Sequence, residues 1–123
     1  MKFGNIVKAQ PLQRTARAAK LRSPTGRALV LAPFHHEALN TLGSIMPVTY
    51  ESWTDTRRLY SPEELVERLN SEDVEVLVVE ADFVFEEVFQ HAKRLKFLGV
   101  CRGDPNQVDL EAATSHGMVV VNT

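Results

Sequence analysis

The sequence predicts an α/β fold built on one parallel β-sheet. The first observation is a series of short apolar runs at residues 28–32, 76–79, 97–101 and 118–121. Runs with little polar alternation are typical of strands that are covered on both faces by helices. The second observation is that helical patterns lie between the runs, as crossover connections between parallel strands require.

The N-terminal half of this pattern begins with a strand at 28–32, which Pro33 ends. A short helix at 36–42 follows, and a shorter second strand is predicted at 48–51, where the alternating pattern is typical of a sheet edge. Ser61-Pro62-Glu63-Glu64 is a strong helix start, because Ser is a good N-cap and Pro suits the first helical position. We expect that helix to run to about Asn70.

The C-terminal half continues with a third strand at 76–79 and an amphipathic helix over 84–92. The apolar residues of this helix recur at helical spacing; they are Val84, Phe85, Val88, Phe89 and Ala92. The fourth and fifth strands are predicted at 97–101 and 118–121. Asp109 can cap the helix between them, and Gly117 can end it in the left-handed conformation.

Five strands joined by helices predict a flavodoxin-like three-layer sandwich with a parallel sheet in the order 2-1-3-4-5. Ligands of such sheets bind beyond the carboxyl ends of the strands, near the point where the strand order reverses. The turns at 32–35, 80–83 and 102–105 follow three of these ends. We therefore expect the three turns to converge on one rim.

The composition indicates a soluble globular domain, since 44% of the 123 residues are hydrophobic and 24% are charged. No run of eighteen apolar residues is present, so no membrane-spanning helix is predicted. The net charge of -2 argues against nucleic acid as the main partner. The single cysteine excludes an internal disulfide and fits a reducing, cytoplasmic setting.

The small net charge conceals a division of the chain into two parts. Residues 1–27 hold seven Lys and Arg and no acidic residue, whereas residues 28–123 hold seven against all 16 Asp and Glu. We interpret residues 1–27 as a basic, partly disordered extension, with one short helix around 12–21 as a variant of that interpretation. An organellar transit peptide is the alternative, because such peptides are rich in Arg and poor in acid.

The chain offers little chemistry of its own. It contains neither the Gly-x-Gly-x-x-Gly turn of a dinucleotide-binding domain nor a Gly-Lys-Ser/Thr phosphate loop. His35-His36-Glu37 is a poor metal site, since adjacent helical residues point in different directions. Cys101 is expected in the core. His91 is expected to be exposed, and His116 to sit near a helix end, where a cation favours the dipole.

One stretch resembles a known family. Residues 99–123 read Gly-Val-x-Arg-Gly-x-Pro-x-x-Val-Asp-Leu-x-Ala-Ala-Thr-x-x-Gly, and then end in Asn-Thr after an apolar run. This order resembles the first catalytic-domain segment of D-isomer-specific 2-hydroxyacid dehydrogenases, which include phosphoglycerate, glycerate, formate and D-lactate dehydrogenases. The resemblance extends weakly back to about Leu29. It implies a substrate-binding domain that is incomplete at Thr123, without the nucleotide-binding domain.

The resemblance also implies a binding site for a small 2-hydroxy or 2-oxo acid. Backbone N–H groups in the turn formed by Arg102, Gly103 and Asp104 would hold the substrate carboxylate, as in a small anion nest. Glu80, Ala81 and Asp82 would flank the same pocket. The catalytic residues and NAD or NADP belong to the nucleotide-binding domain in this family, so this chain alone is expected to bind no cofactor and to be inactive.

Three positions depart from the family pattern. Asp104 stands where relatives usually have Gly, and its carboxylate should repel an acid substrate. Pro105 has no N–H to donate, although a Pro occurs at this position in some branches of the family. Gln107 replaces the usual Asn before Val-Asp. These departures weaken the assignment of the substrate but leave the fold prediction intact.

Two other functions remain open. One is a free-standing flavodoxin-like binding or regulatory module without redox activity, although Pro33-Phe34-His35-His36 does not resemble a flavin phosphate loop. The other is an interaction domain in which the basic segment of one copy pairs with the acidic body of another. Separately, a domain that lacks its C-terminal elements should expose apolar surface or a sheet edge, and we therefore expect a homodimer or marginal stability.

Overall fold

The computed structural model describes residues 5–6 and 26–123, and within them six strands and five helices. The strands are β1 Asn5–Ile6, β2 Arg27–Val30, β3 Val48–Tyr50, β4 Val74–Val79, β5 Phe97–Val100 and β6 Val119–Asn122. The helices are α1 His36–Gly43, α2 Trp53–Thr56, α3 Pro62–Ser71, α4 Glu86–His91 and α5 Leu110–Ser115.

The strands form one sheet in the order β1-β6-β5-β4-β2-β3. The five strands from β2 to β6 are parallel, so the predicted order 2-1-3-4-5 is confirmed. Strand β1 was not expected, because residues 5–6 were interpreted as part of the basic extension. It pairs antiparallel with β6 through Asn5↔Asn122 and Ile6↔Val121. The helix considered around 12–21 lies outside the described residues.

Most of the core lies on the sheet face that carries α3, α4 and α5. Each of these helices buries two residues there: Leu65 and Leu69, Val88 and Phe89, and Ala112 and Ala113. They pack against strand residues such as Leu29, Leu77 and Leu98, none of which is exposed. Burying a side chain of this kind stabilises the fold by about 1.5–3 kcal/mol.

The opposite face carries a much smaller cluster made of Val30, Ala32, Val78 and Cys101. Within the described residues, α1 covers it through Leu39 and Leu42, which are only partly buried. The sheet is therefore the middle of three layers, and one outer layer is thinner than the other.

The helix boundaries follow the predicted caps closely. The Ser61 hydroxyl accepts a hydrogen bond from the Glu64 N–H at 3.2 Å, and Asp109 accepts one from Ala112 at 3.0 Å. Gly117 lies just beyond α5 with a φ of 70°, the left-handed conformation that favours glycine. These two helix starts and the glycine stop are confirmed.

Two details of the prediction are wrong. The helix expected from residue 84 begins only at Glu86, because Val84 forms a parallel bridge with Val108 instead. The short helix α2 was not predicted at all; its cap is Ser52, whose hydroxyl accepts from the Thr54 N–H at 3.3 Å. In the part of the chain that the structure describes, every helix is too short or too polar to cross a lipid bilayer.

Candidate functional site

A cleft of about 350 Å³ opens at the carboxyl edge of the sheet. Its lining residues are Trp53, Glu80, Ala81 and Arg102. Glu80, Ala81 and Arg102 were all named from the sequence, and the structure brings them together. Trp53 was missed, although it follows the carboxyl end of β3 by three residues and the same reasoning about strand ends could have found it.

Strand register explains why these residues meet. Val79 of β4 pairs with Val100 of β5, so the residues that follow the two strands leave the sheet side by side. The chain after β3 is held against β2, where the Trp53 N–H donates to the Leu31 carbonyl at 2.8 Å. The cleft is thus assembled from segments next to three neighbouring strands.

Glu80 is held on two sides. Its side-chain Oε1 accepts a hydrogen bond from the indole Nε1 of Trp53 at 2.9 Å. Its main-chain carbonyl accepts one from Gln107 Nε2 at 2.7 Å. Because both the backbone and the carboxylate are anchored, Glu80 presents a negative charge at a fixed place in the cleft.

The turn after β5 is oriented by Asn122, the last residue of β6. Asn122 Nδ2 donates to the carbonyls of Arg102 and Gly103, at 3.4 Å and 3.2 Å. In a planar trans peptide the N–H points away from the preceding C=O. The N–H groups of Gly103 and Asp104 therefore point away from Asn122. Gly103 and Asp104 do not themselves line the cleft, but they directly follow Arg102, which does.

Neither of these two N–H groups donates a hydrogen bond to another described residue. The guanidinium of Arg102 likewise forms no ion pair within the described part of the chain. Two adjacent N–H groups next to an unpaired cation favour the binding of an anion.

The Asp104 carboxylate does not line the cleft. Its Oδ2 accepts a hydrogen bond from Asn106 Nδ2 at 3.0 Å, and the side chain is exposed to solvent. Exposed charges are screened by water and salt, so the repulsion that the sequence suggested for an acid ligand is weakened.

Asp82, the remaining candidate, also lies outside the cleft lining. It is only 1% exposed, and its Oδ2 accepts the Tyr60 N–H at 3.0 Å. Burial raises the pKa of this carboxyl above its ordinary value, and the Tyr60 N–H opposes that rise. Asp82 thus ties the loop before α3 to the turn after β4.

The turn at 32–35 does not reach the cleft lining. The Phe34 N–H donates to the Tyr50 hydroxyl at 3.2 Å, and the Phe34 ring packs against the smaller core cluster. Of the three turns expected to share one rim, two meet in this cleft.

The other titratable candidates take structural positions. Cys101 is 6% exposed, and burial raises the pKa of its thiol to about 11, which leaves it protonated at neutral pH. His91 and His116 are both exposed, and the His116 ring lies 6.4 Å from that of Phe89. No three His, Cys, Asp or Glu side chains among the described residues are placed to hold a metal ion.

The fold and the cleft define a flavodoxin-like α/β domain with a cleft at the carboxyl edge of its sheet. Residues 28–123 match the family model of the D-isomer specific 2-hydroxyacid dehydrogenase catalytic domain, and the chain belongs to this family.

Relatives of known sequence and structure agree with this assignment. The chain is 38% identical over 96 residues to YoaD of Bacillus subtilis, whose name assigns it to the 2-hydroxyacid dehydrogenases; the match covers 77% of this chain and 28% of YoaD. It is 32% identical over 97 residues to D-3-phosphoglycerate dehydrogenase of Methanocaldococcus jannaschii, covering 78% of this chain and 17% of that protein.

The crystal structure of the PH0520 protein from Pyrococcus horikoshii matches with a TM-score of 0.65 and 26% identity, over 81% of this chain and 28% of that one. The chain thus spans less than a third of the length of each of these three relatives.

Proposed function

We propose that residues 28–123 are the substrate-binding part of an NAD(P)-dependent oxidoreductase that acts on the CH–OH group of a D-2-hydroxy acid. Membership of the family supports the class of reaction. The observation that carries the site assignment is the pair of unbonded N–H groups at Gly103 and Asp104, directed away from Asn122 and adjacent to Arg102.

The substrate carboxylate would be held by these two N–H groups, with the Arg102 guanidinium close by. Backbone N–H groups are already oriented before binding, so little reorganisation is needed when the anion arrives. The carboxylate end of the acid would then lie over β5, and the rest of the molecule would extend over the end of β4. Ala81 adds an apolar wall to this part of the cleft.

The nucleotide would not be held by this part of the protein. The sequence contains no glycine-rich turn between a strand and a helix that could bind a pyrophosphate. In the family that the chain resembles, a separate domain carries the NAD(P) site and the catalytic residues. We therefore expect the 123-residue chain to bind the acid without oxidising NADH.

An NMR titration tests the proposal directly. Adding D-lactate to the ¹⁵N-labelled chain should shift the amide signals of Gly103 and Asp104 and the indole signal of Trp53. Asn122→Ala removes the side chain that orients the turn, and it should weaken binding by about tenfold, as the loss of a positioned hydrogen-bond donor does. Asn40→Ala, at an exposed position of α1, is the matched control and should bind like the unmodified chain.

A second measurement follows NADH absorbance in the presence of glyoxylate and the chain. No oxidation is expected. Binding of D-lactate that leaves the amide signals of Gly103 and Asp104 unshifted would contradict the assignment of the site. Oxidation of NADH by the chain alone would contradict the proposal that a separate domain carries the NAD(P) site and the catalytic residues.

A further inference from the structure

The groups that line the cleft follow one another in a fixed order along the sheet edge. Arg102 and its turn follow β5, Glu80 follows β4, and Trp53 lies beyond β2. These three strands are consecutive neighbours in the sheet. The cleft is therefore cationic at one end and carries a carboxylate next to an aromatic ring at the other.

One oxygen of the Glu80 carboxylate is available to accept a hydrogen bond from a ligand. One of its oxygens, Oε1, is occupied by the Trp53 indole, which fixes the orientation of the whole group. The other oxygen, Oε2, accepts no hydrogen bond from any described residue. A carboxylate oxygen that is held in place and left open is a strong acceptor for a ligand N–H or O–H group.

We propose that Glu80 is a specificity-determining residue, which selects 2-hydroxy or 2-oxo acids whose substituent on C2 ends in a hydrogen-bond donor. This inference rests on the proposed function, since the carboxylate bound at Gly103 and Asp104 sets the orientation of the acid. The substituent then faces Glu80, where a hydroxyl or an ammonium group is favoured. A second carboxylate or a phosphate at the same place is repelled.

Four acids that differ only in the C3 substituent test the proposal. D-Lactate carries a methyl hydrogen, D-glycerate a hydroxyl, D-isoserine an ammonium and D-malate a second carboxylate at that position. Dissociation constants for the full chain are measured by NMR titration at one salt concentration. We expect D-glycerate and D-isoserine to bind about fivefold more tightly than D-lactate, the effect of roughly one net hydrogen bond. D-Malate should bind about tenfold more weakly.

Two variants assign the discrimination to Glu80. In Glu80→Gln, the ratio of the D-malate and D-lactate dissociation constants should fall to within about twofold, and the advantage of D-isoserine should be lost. Trp53→Phe keeps an aromatic ring but removes the indole N–H, and it should reduce the same discrimination partly. Glu87→Gln removes an equal charge from an exposed position on α4 and should leave all four ratios as they are.

The outcomes separate this inference from the proposed function. If none of the four acids shifts Gly103 and Asp104, the proposed function falls, and the inference falls with it. If all four acids shift these signals with equal affinity, or if Glu80→Gln leaves the ratios unchanged, the site stands and Glu80 is not its specificity determinant.

Discussion

Asp82 is buried and does not line the cleft, but it holds together two loops near the cleft. Its Oδ2 accepts the Tyr60 N–H, whereas its Oδ1 accepts no hydrogen bond from the described residues. Gln107, which holds the Glu80 carbonyl, likewise leaves its buried Oε1 unpaired in this part of the chain. Buried oxygens without donors are costly, and the cost is larger for a charged carboxylate than for a neutral acid or an amide.

A pH dependence follows for Asp82. Burial raises the pKa of this carboxyl in the folded chain above its value in the unfolded chain. The folded state thus prefers the protonated form, and ionisation as the pH rises through the folded pKa lowers stability. Asp82→Asn retains an oxygen that can accept the Tyr60 N–H but cannot ionise. As the pH falls from 7 toward 4, the free energy of unfolding of the unmodified chain should therefore rise relative to that of Asp82→Asn.

Urea denaturation at a series of pH values measures this difference. Asp73→Asn is the control, because Asp73 is exposed and its φ of 51° is tolerated by Asn. The difference between the unmodified chain and this control should change little with pH. If the difference in free energy of unfolding between the unmodified chain and Asp82→Asn also does not change with pH, burial does not disfavour the Asp82 carboxylate.

Among the elements, β3 and α3 are joined by a group of polar side chains centred on Arg68. Its guanidinium donates to both carboxylate oxygens of Glu51, at 2.7 Å and 2.5 Å, and to the Tyr60 hydroxyl at 2.6 Å. It also pairs with Glu72, the residue that directly follows α3. The hydrogen bond from Arg68 lowers the pKa of Glu51, against an opposing effect of burial. The segment between β3 and α3 includes Trp53, so this group also supports one wall of the cleft.

Arg68→Met should destabilise the protein by about 1–2 kcal/mol at pH 7, because it removes two-point hydrogen bonding to a half-buried carboxylate. The pKa of Glu51 is lowered in the folded state, so its contribution is present above the unfolded pKa and is lost as the pH falls through the folded pKa. The loss in free energy of unfolding caused by Arg68→Met should therefore become smaller as the pH is lowered.

Arg58→Met is the matched control for Arg68→Met. Arg58 pairs with Glu64 through a single nitrogen, and both side chains of that pair are about half exposed. Exposed pairs contribute little, because water and salt screen them. Thermal and urea unfolding should therefore show little change for Arg58→Met. If Arg68→Met and Arg58→Met lower the free energy of unfolding equally, burial does not explain the stabilisation by the Arg68 group.

Elements with a strong local signal could be predicted from the sequence. The Ser61 and Asp109 caps and the apolar strands depend on side chains close in sequence, and they appeared where expected. β1 could not be predicted, since two residues carry no periodicity and their partner, β6, lies more than a hundred residues away. The helix over 84–92 began late because a bridge between Val84 and Val108 overrides the local helical pattern.

The candidate site was predictable to the extent that it depends on strand ends. Glu80, Ala81 and Arg102 follow strands that are neighbours in the predicted order, so their proximity could be inferred. The position of Trp53 is set by its hydrogen bond to the Leu31 carbonyl, a contact between distant residues that no local sequence pattern predicts. The role of Asn122 was equally hidden, because it depends on the direction of peptide groups in a turn on the neighbouring strand.

At the scale of the whole molecule, apolar surface is distributed unevenly. One sheet face holds the large core cluster, and the other holds a cluster of four buried residues under α1. The bridge between Val84 and Val108 turns its neighbours Phe83 and Phe85 outward, where their rings lie 5.7 Å apart and are 54% and 43% exposed. Neighbouring exposed aromatic side chains are typical of surfaces that bind another protein.

We expect the 123-residue chain to self-associate through this aromatic pair. The driving force would be apolar burial, so sedimentation equilibrium should show association that persists or strengthens at about 1 M salt, where charge–charge contacts are largely screened. Replacing both Phe83 and Phe85 by Ser should shift the equilibrium toward monomer. Ile45→Ser, at a position that is 61% exposed outside the pair, should not. Association that disappears at high salt would instead favour pairing between the basic residues of 1–27 and the acidic body of a second copy, and it would leave the aromatic pair without a part in self-association.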